Sequence, residues 1–140
     1  MKTDWWIEYT IKRSFDEGFA ILVSGPCRAH KNSCEVKVQR TLDAWFNIEP
    51  WYKHDAKHLS KSIALAEGEA QYELFAKPKI SSFPRAVVGV DGETHYLVLG
   101  AFQNISRFQW FMDLPDEWKE FELGVLQLSE LAEVVLSSSA

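Results

Sequence analysis

The chain has 140 residues, enough for one domain with a sizeable core and too few for two ordinary ones. Hydrophobic residues make up 46% and charged residues 25%, which excludes wholesale disorder, and the net charge of −5 excludes a general nucleic-acid binder, which needs a basic face. The charge is uneven: residues 1–61 carry ten Lys/Arg against eight Asp/Glu, residues 62–140 five against twelve.

The chain starts with Met1-Lys2-Thr3-Asp4-Trp5-Trp6, where a signal peptide would need a plain apolar run. With no apolar run long enough for a membrane span, a cytoplasmic location is expected. Trp5, Ile7, Tyr9 and Ile11 then alternate with Trp6, Glu8, Thr10 and Lys12, the period-two signature of a strand with one buried face. A turn over 14–18 leads into a second apolar run, Phe19–Ser24, broken by Gly25-Pro26. After a polar loop over 28–33, Cys34, Val36 and Val38 alternate with Glu35, Lys37 and Gln39, predicting a third strand.

Residues 41–54 are irregular, with Trp45, Phe46, Trp51 and Tyr52, and Pro50 argues against a helix through them. Leu59, Ile63 and Ala66 lie four and three apart, which predicts an amphipathic helix from Asp55 to near Gly68. Ala70, Tyr72, Leu74 and Ala76 alternate with Gln71, Glu73 and Phe75; this reads as a strand, with a continued helix as the alternative, ended by Pro78 in either case. Val87, Val88 and Val90 precede Asp91-Gly92, with Thr94, Tyr96 and Val98 beyond, a pattern that predicts a tight hairpin. Phe108, Trp110 and Met112 suggest another strand. Leu114-Pro115-Asp116-Glu117 reads as a helix start, Leu123–Leu128 as a last strand, and Ser129 as the cap of a short helix carrying Leu131, Val134 and Val135. The expected architecture is α+β: a curved, mainly antiparallel sheet with two or three helices packed on one face, over a single domain spanning 1–140.

The chemistry-bearing residues form no catalytic constellation. Cys27, His30 and Cys34 are close in sequence, and His54 and His58 are four apart, but neither spacing is a finger or ribbon pattern, so no metal and no cofactor is expected. Cys27 after Gly25-Pro26 has no base or orienting group that the sequence places beside it, and both cysteines read as thiols. The Gly89-Val90-Asp91-Gly92 stretch is too short for a phosphate loop. The acids of the C-terminal third are different in kind. From Gln109 to Leu136 there are seven acids and one base, Lys119, with Trp110, Phe111, Trp118 and Phe121 among them. Aromatic anchors inside a ring of charge suit a protein interface: the rings supply affinity and the charges supply steering.

In size, acidity, aromatic content and α+β pattern, the chain resembles the small cytoplasmic immunity proteins of bacterial toxin–immunity systems. The resemblance lies in the character of the whole chain; no motif carries it. It implies a non-enzymatic protein that binds and neutralises a cognate basic toxin domain, such as a nuclease, with no nucleic-acid or membrane partner. In that reading Asp113, Asp116, Glu117, Glu120 and Glu122 face the toxin, with Trp118 as the aromatic member of the surface. The rival expectation is an enzymatic or small-molecule-binding domain whose aromatic-lined pocket gathers polar groups such as His95, Tyr96 or Arg107.

Overall fold

The computed structural model describes residues 4–13, 17–26, 32–41, 59–78, 92–101 and 104–138. Six strands form one antiparallel sheet: β1 (Trp5–Arg13), β2 (Gly18–Gly25), β3 (Ser33–Thr41), β4 (Leu59–Ala64), β5 (Glu93–Ala101) and β6 (Asn104–Phe111). Their order is β4-β3-β2-β1-β5-β6, with β4 and β6 at the two ends. Two helices, α1 (Leu65–Ala76) and α2 (Glu122–Ser137), pack against one face, and a 3-10 segment, η1 (Asp116–Phe121), leads into α2. The α+β class and the antiparallel sheet follow the expectation, and the two helices among the described residues are consistent with it.

The alternation in β1 fixes that geometry. Trp5, Ile7, Tyr9 and Ile11 enter the core with Phe19, Ile21 and Val23 of β2 and Cys34, Val36 and Val38 of β3. The register explains why these sets meet, since Ile7 lies opposite Val23, and Val23 opposite Val36. The opposite face departs from the expected half-buried strand. Thr10, Lys12, Ala20, Leu22, Gln39, Tyr96 and Val98 are also buried, so the central strands are covered on both sides. Lys12 places its ammonium 5.4 Å from the centre of the Tyr96 ring, a contact in which the ring face stabilises the cation. Glu8 on this face has its carboxyl pushed above the ordinary range by burial, against the pull of Arg107.

Three sequence expectations are corrected. Residues 59–64 are a strand rather than the body of a helix: β4 pairs with β3, Ile63 opposite Cys34 and Leu59 opposite Val38. The spacing of four between Leu59 and Ile63 is a multiple of two, so it also places both residues on one face of a strand. Residues 70–76 belong to α1, in agreement with the alternative reading. Gly68, Gln71 and Phe75 are its buried members, three and four apart, and the segment holds no β-branched residue. Residues 123–128 lie in α2, which buries Gly124, Leu128, Ala132 and Val135. Ser129 therefore caps nothing; it sits within the helix and its hydroxyl donates to the Val125 carbonyl at 2.9 Å.

The hairpin expected about Asp91-Gly92 is described only from Gly92 onward. Gly92 has the positive φ, 121°, that the turn reading required. Both edges of β5 are taken by β1 and β6, and the hairpin that β5 makes is with β6. Asp91, the valines at 87, 88 and 90, the aromatic stretch 45–52, Cys27, His30, His54 and His58 lie outside the described residues. No described helix is long and apolar enough to cross a membrane.

Candidate functional site: the acidic helical layer

The 3-10 geometry of η1 sorts its side chains. At three residues per turn, Trp118 and Phe121 fall on the same side, and both are buried. Pro115 precedes the segment and its carbonyl accepts the Trp118 amide at 2.8 Å. Inside, Trp118 meets Phe108 edge to face at 5.2 Å between ring centres and Trp110 at 6.2 Å; Phe121 meets Phe108 at 5.1 Å and Phe75 at 5.5 Å. This aromatic cluster ties η1 to β6 and α1. Packing it inward turns Asp116, Glu117, Lys119 and Glu120 outward, and all four are exposed, as are Asp113 and Glu122 on either side. Among the residues expected to meet a partner, the five carboxylates form one exposed segment. Trp118, 5% exposed, is a core residue.

The acidic surface is larger than the sequence reading allowed. Gln71 of α1 donates to the Gly124 carbonyl of α2 at 3.0 Å, which holds the two helices side by side. A side chain at Gly124 would come within 2.6 Å of the Phe75 ring, so the absent Cβ permits the close approach. The exposed acids of α1, Glu67, Glu69 and Glu73, thus join Glu122, Glu130 and Glu133 of α2 and the three of η1. Across α1, η1 and α2 there are nine acids, all exposed, and one base, Lys119. Glu67, Glu69 and Glu73 were not grouped because the sequence divides α1 between a helix ending near Gly68 and an alternating segment over 70–76. The signal that would have found them is its helix-forming composition of Leu, Ala, Glu and Gln.

The groups proposed for a pocket do not converge. His95 lies on the helix side of β5, whereas Tyr96, its neighbour in the strand, and Arg107, opposite Val98 on β6, belong to the other face. His95 is instead part of a buried network. Its Nδ1 shares a 2.6 Å hydrogen bond with the Tyr9 hydroxyl, and its ring stacks on Trp110 at 5.1 Å with planes 3° apart. Its Nε2 is 3.6 Å from the Glu93 carboxylate, which also holds Arg13 at 2.9 Å. Burial pushes the imidazole below its ordinary 6.5, against the pull of Glu93. Burial also pushes the Tyr9 phenol well above its ordinary value, with Glu93 adding to the effect. An imidazole closed in by the Trp110 ring and the Tyr9 phenol is a core element of the fold.

Cys34 is a fully buried thiol whose sulfur is 3.9 Å from the Leu65 carbonyl. Among the described residues no group of three His, Cys, Asp or Glu is placed to hold a metal ion. No protein-family model matches the chain, and no curated protein matches it.

Proposed function

We propose that the chain is a protein-binding module of the toxin–immunity kind, which holds a basic toxin domain against its helical layer and so blocks it. The observation that carries this reading is the charge of that layer: nine exposed acids and one lysine on α1, η1 and α2. A surface of one sign steers a partner of the other sign and disfavours like-charged partners, nucleic acid among them. The rigid aromatic cluster beneath η1 supports the reading in a second way, because carboxylates on a fixed base lose little freedom on binding. Asp113, Asp116, Glu117, Glu120 and Glu122 contact the toxin. Trp118 positions η1 from below without touching the partner.

The test is co-expression with toxic proteins encoded beside this one. The expected result is rescue of growth and a stable complex on size exclusion, both lost when Asp116, Glu117 and Glu120 are changed together to Lys with the circular dichroism unchanged. Rescue that survives the triple change, or the absence of any toxic neighbour that the chain binds, overturns the reading.

A further inference from the structure

The outward face of α2 is not purely acidic. Leu123 and Leu126 are each 54% exposed and Val134 is 52% exposed, three of the five large hydrophobic residues most open to solvent among those described. The inward face is already satisfied by Gly124, Leu128, Ala132 and Val135, so these three are surplus to the core. Leu123 and Val134 are eleven residues apart, close to three turns, and therefore lie nearly in line along the axis, with Leu126 one row to the side. Glu130 stands between them on the same exposed arc, and Glu122 and Glu133 border it. The helix contains no lysine or arginine. The result is an apolar track about 16 Å long, punctuated and edged by carboxylates.

We infer that this track is the apolar anchor of the interface, and that it receives a basic amphipathic helix: a partner segment with an apolar row along its centre and Lys or Arg on its flanks. The inference rests on the proposed protein-binding role and adds the chemistry of the partner. Charge decides the occupant. A second copy of this chain would set Glu122, Glu130 and Glu133 against their own counterparts, and like charges in a desolvated contact oppose association. A purely cationic partner would match the carboxylates and leave Leu123, Leu126 and Val134 in water. Only a segment that is apolar and basic at once matches both parts of the surface, and the length of the track suits three turns of helix laid along it.

The experiment uses the full chain labelled with 15N and three synthetic 18-residue helical peptides. One is built from Leu and Lys as an amphipathic helix, one replaces its Leu row by Ser, and one replaces its Lys by Glu. The Leu/Lys peptide is expected to shift the amides of residues 123–137. The Ser/Lys peptide is expected to bind at least ten-fold more weakly, and the Leu/Glu peptide to shift none of these amides. Changing Leu123, Leu126 and Val134 together to Ser is expected to weaken the Leu/Lys peptide at least ten-fold without loss of helicity. Equal binding by that variant, or equal binding of the Ser/Lys peptide, overturns the anchor. Shifts confined to residues 113–122 overturn the anchor while leaving the acidic-surface reading standing, whereas no shift anywhere at low salt removes both. A dimer of the free chain that disappears in the triple Ser variant also overturns the inference, since the occupant is then a second copy.

Discussion

Tyr9 and His95 show how a polar pair can belong to a core. Each ring is buried, each carries a group that must be hydrogen bonded, and they answer one another at 2.6 Å. Removing the hydroxyl leaves Nδ1 without that bond, so Tyr9→Phe should destabilise the fold by about 1–3 kcal/mol, read from the urea midpoint at pH 7. The imidazole gives a pH dependence of definite sign. Its folded pKa lies below the ordinary 6.5, so the unfolded chain takes up its proton first as pH falls. The stabilising contribution of the neutral ring is complete above pH 6.5 and is lost as pH drops below that value toward the folded pKa. Urea midpoints should therefore fall between pH 7 and pH 5 more steeply in the native chain than in His95→Phe, which keeps the stack on Trp110 and removes the titration. Parallel slopes in the two proteins would show that His95 does not titrate against folding. Gly92 supplies the other prediction at this scale. Its φ of 121° suits glycine alone, and a Cβ there would strike the Met112 sulfur. Gly92→Val should cost about 1–3 kcal/mol on the same measurement.

Among the elements, the sequence was most legible where one period ran without competition. The alternation of β1, the apolar run of β2 and the alternation of β3 all became strands, and Trp5, Ile7, Tyr9 and Ile11 of β1 face the core as expected. It misled where two periods agreed. Leu59 and Ile63 satisfy both helix and strand spacing, and what decided for β4 was a vacant edge on β3, a tertiary fact absent from the local pattern. Leu123–Leu128 reads as an apolar strand because Leu123 and Leu126 are hydrophobic. In α2 both point to solvent while Gly124 and Leu128 face the core, so the run mixes two faces of a helix. The acids of η1 were legible as a charged segment, but the sequence placed Trp118 on the surface with them, whereas Trp118 and Phe121 pack inward. That same packing settles Trp118: Trp118→Ala should cost about 3–5 kcal/mol through loss of the aromatic cluster beneath η1. The measurement is thermal unfolding, and an unchanged melting temperature would put the indole back on the surface. The pairing of α1 with α2 makes an equally direct prediction. Gly124→Val should force Phe75 aside and cost about 1–3 kcal/mol, whereas Leu126→Ser, two residues on and exposed, should change stability by less than about 0.5 kcal/mol.

At the scale of the molecule, charge among the described residues is distributed by layer. Three of the six bases in the described strands are matched locally by ion pairs: Arg13 by Glu93 at 2.9 Å, Lys37 by Glu35 at 3.5 Å, and Arg40 by Glu17. Exposed pairs of this kind add little to stability, but they cancel the field of the sheet at a distance. The helical layer, with nine acids and one base, is the most one-signed part of the described surface. A basic partner approaching from solution is turned toward α1, η1 and α2 before any contact forms, and this acts on the association rate more than on the lifetime of the complex. Position should then matter more than net charge. Glu120→Lys and Glu35→Lys change the net charge equally, yet only the first reverses a charge on the steering layer. With a basic partner in stopped-flow measurements at low salt, the triple change of Asp116, Glu117 and Glu120 to Lys should lower the association rate by about ten-fold or more. Glu120→Lys alone should account for a visible share of that loss, and Glu35→Lys should leave the rate nearly unchanged. Raising the salt to about 1 M, where the screening length is about 3 Å, should bring the native chain and the triple variant to the same rate. Equal slowing by Glu35→Lys and Glu120→Lys would mean that net charge alone governs encounter, and the helical layer would lose its part as the steering face.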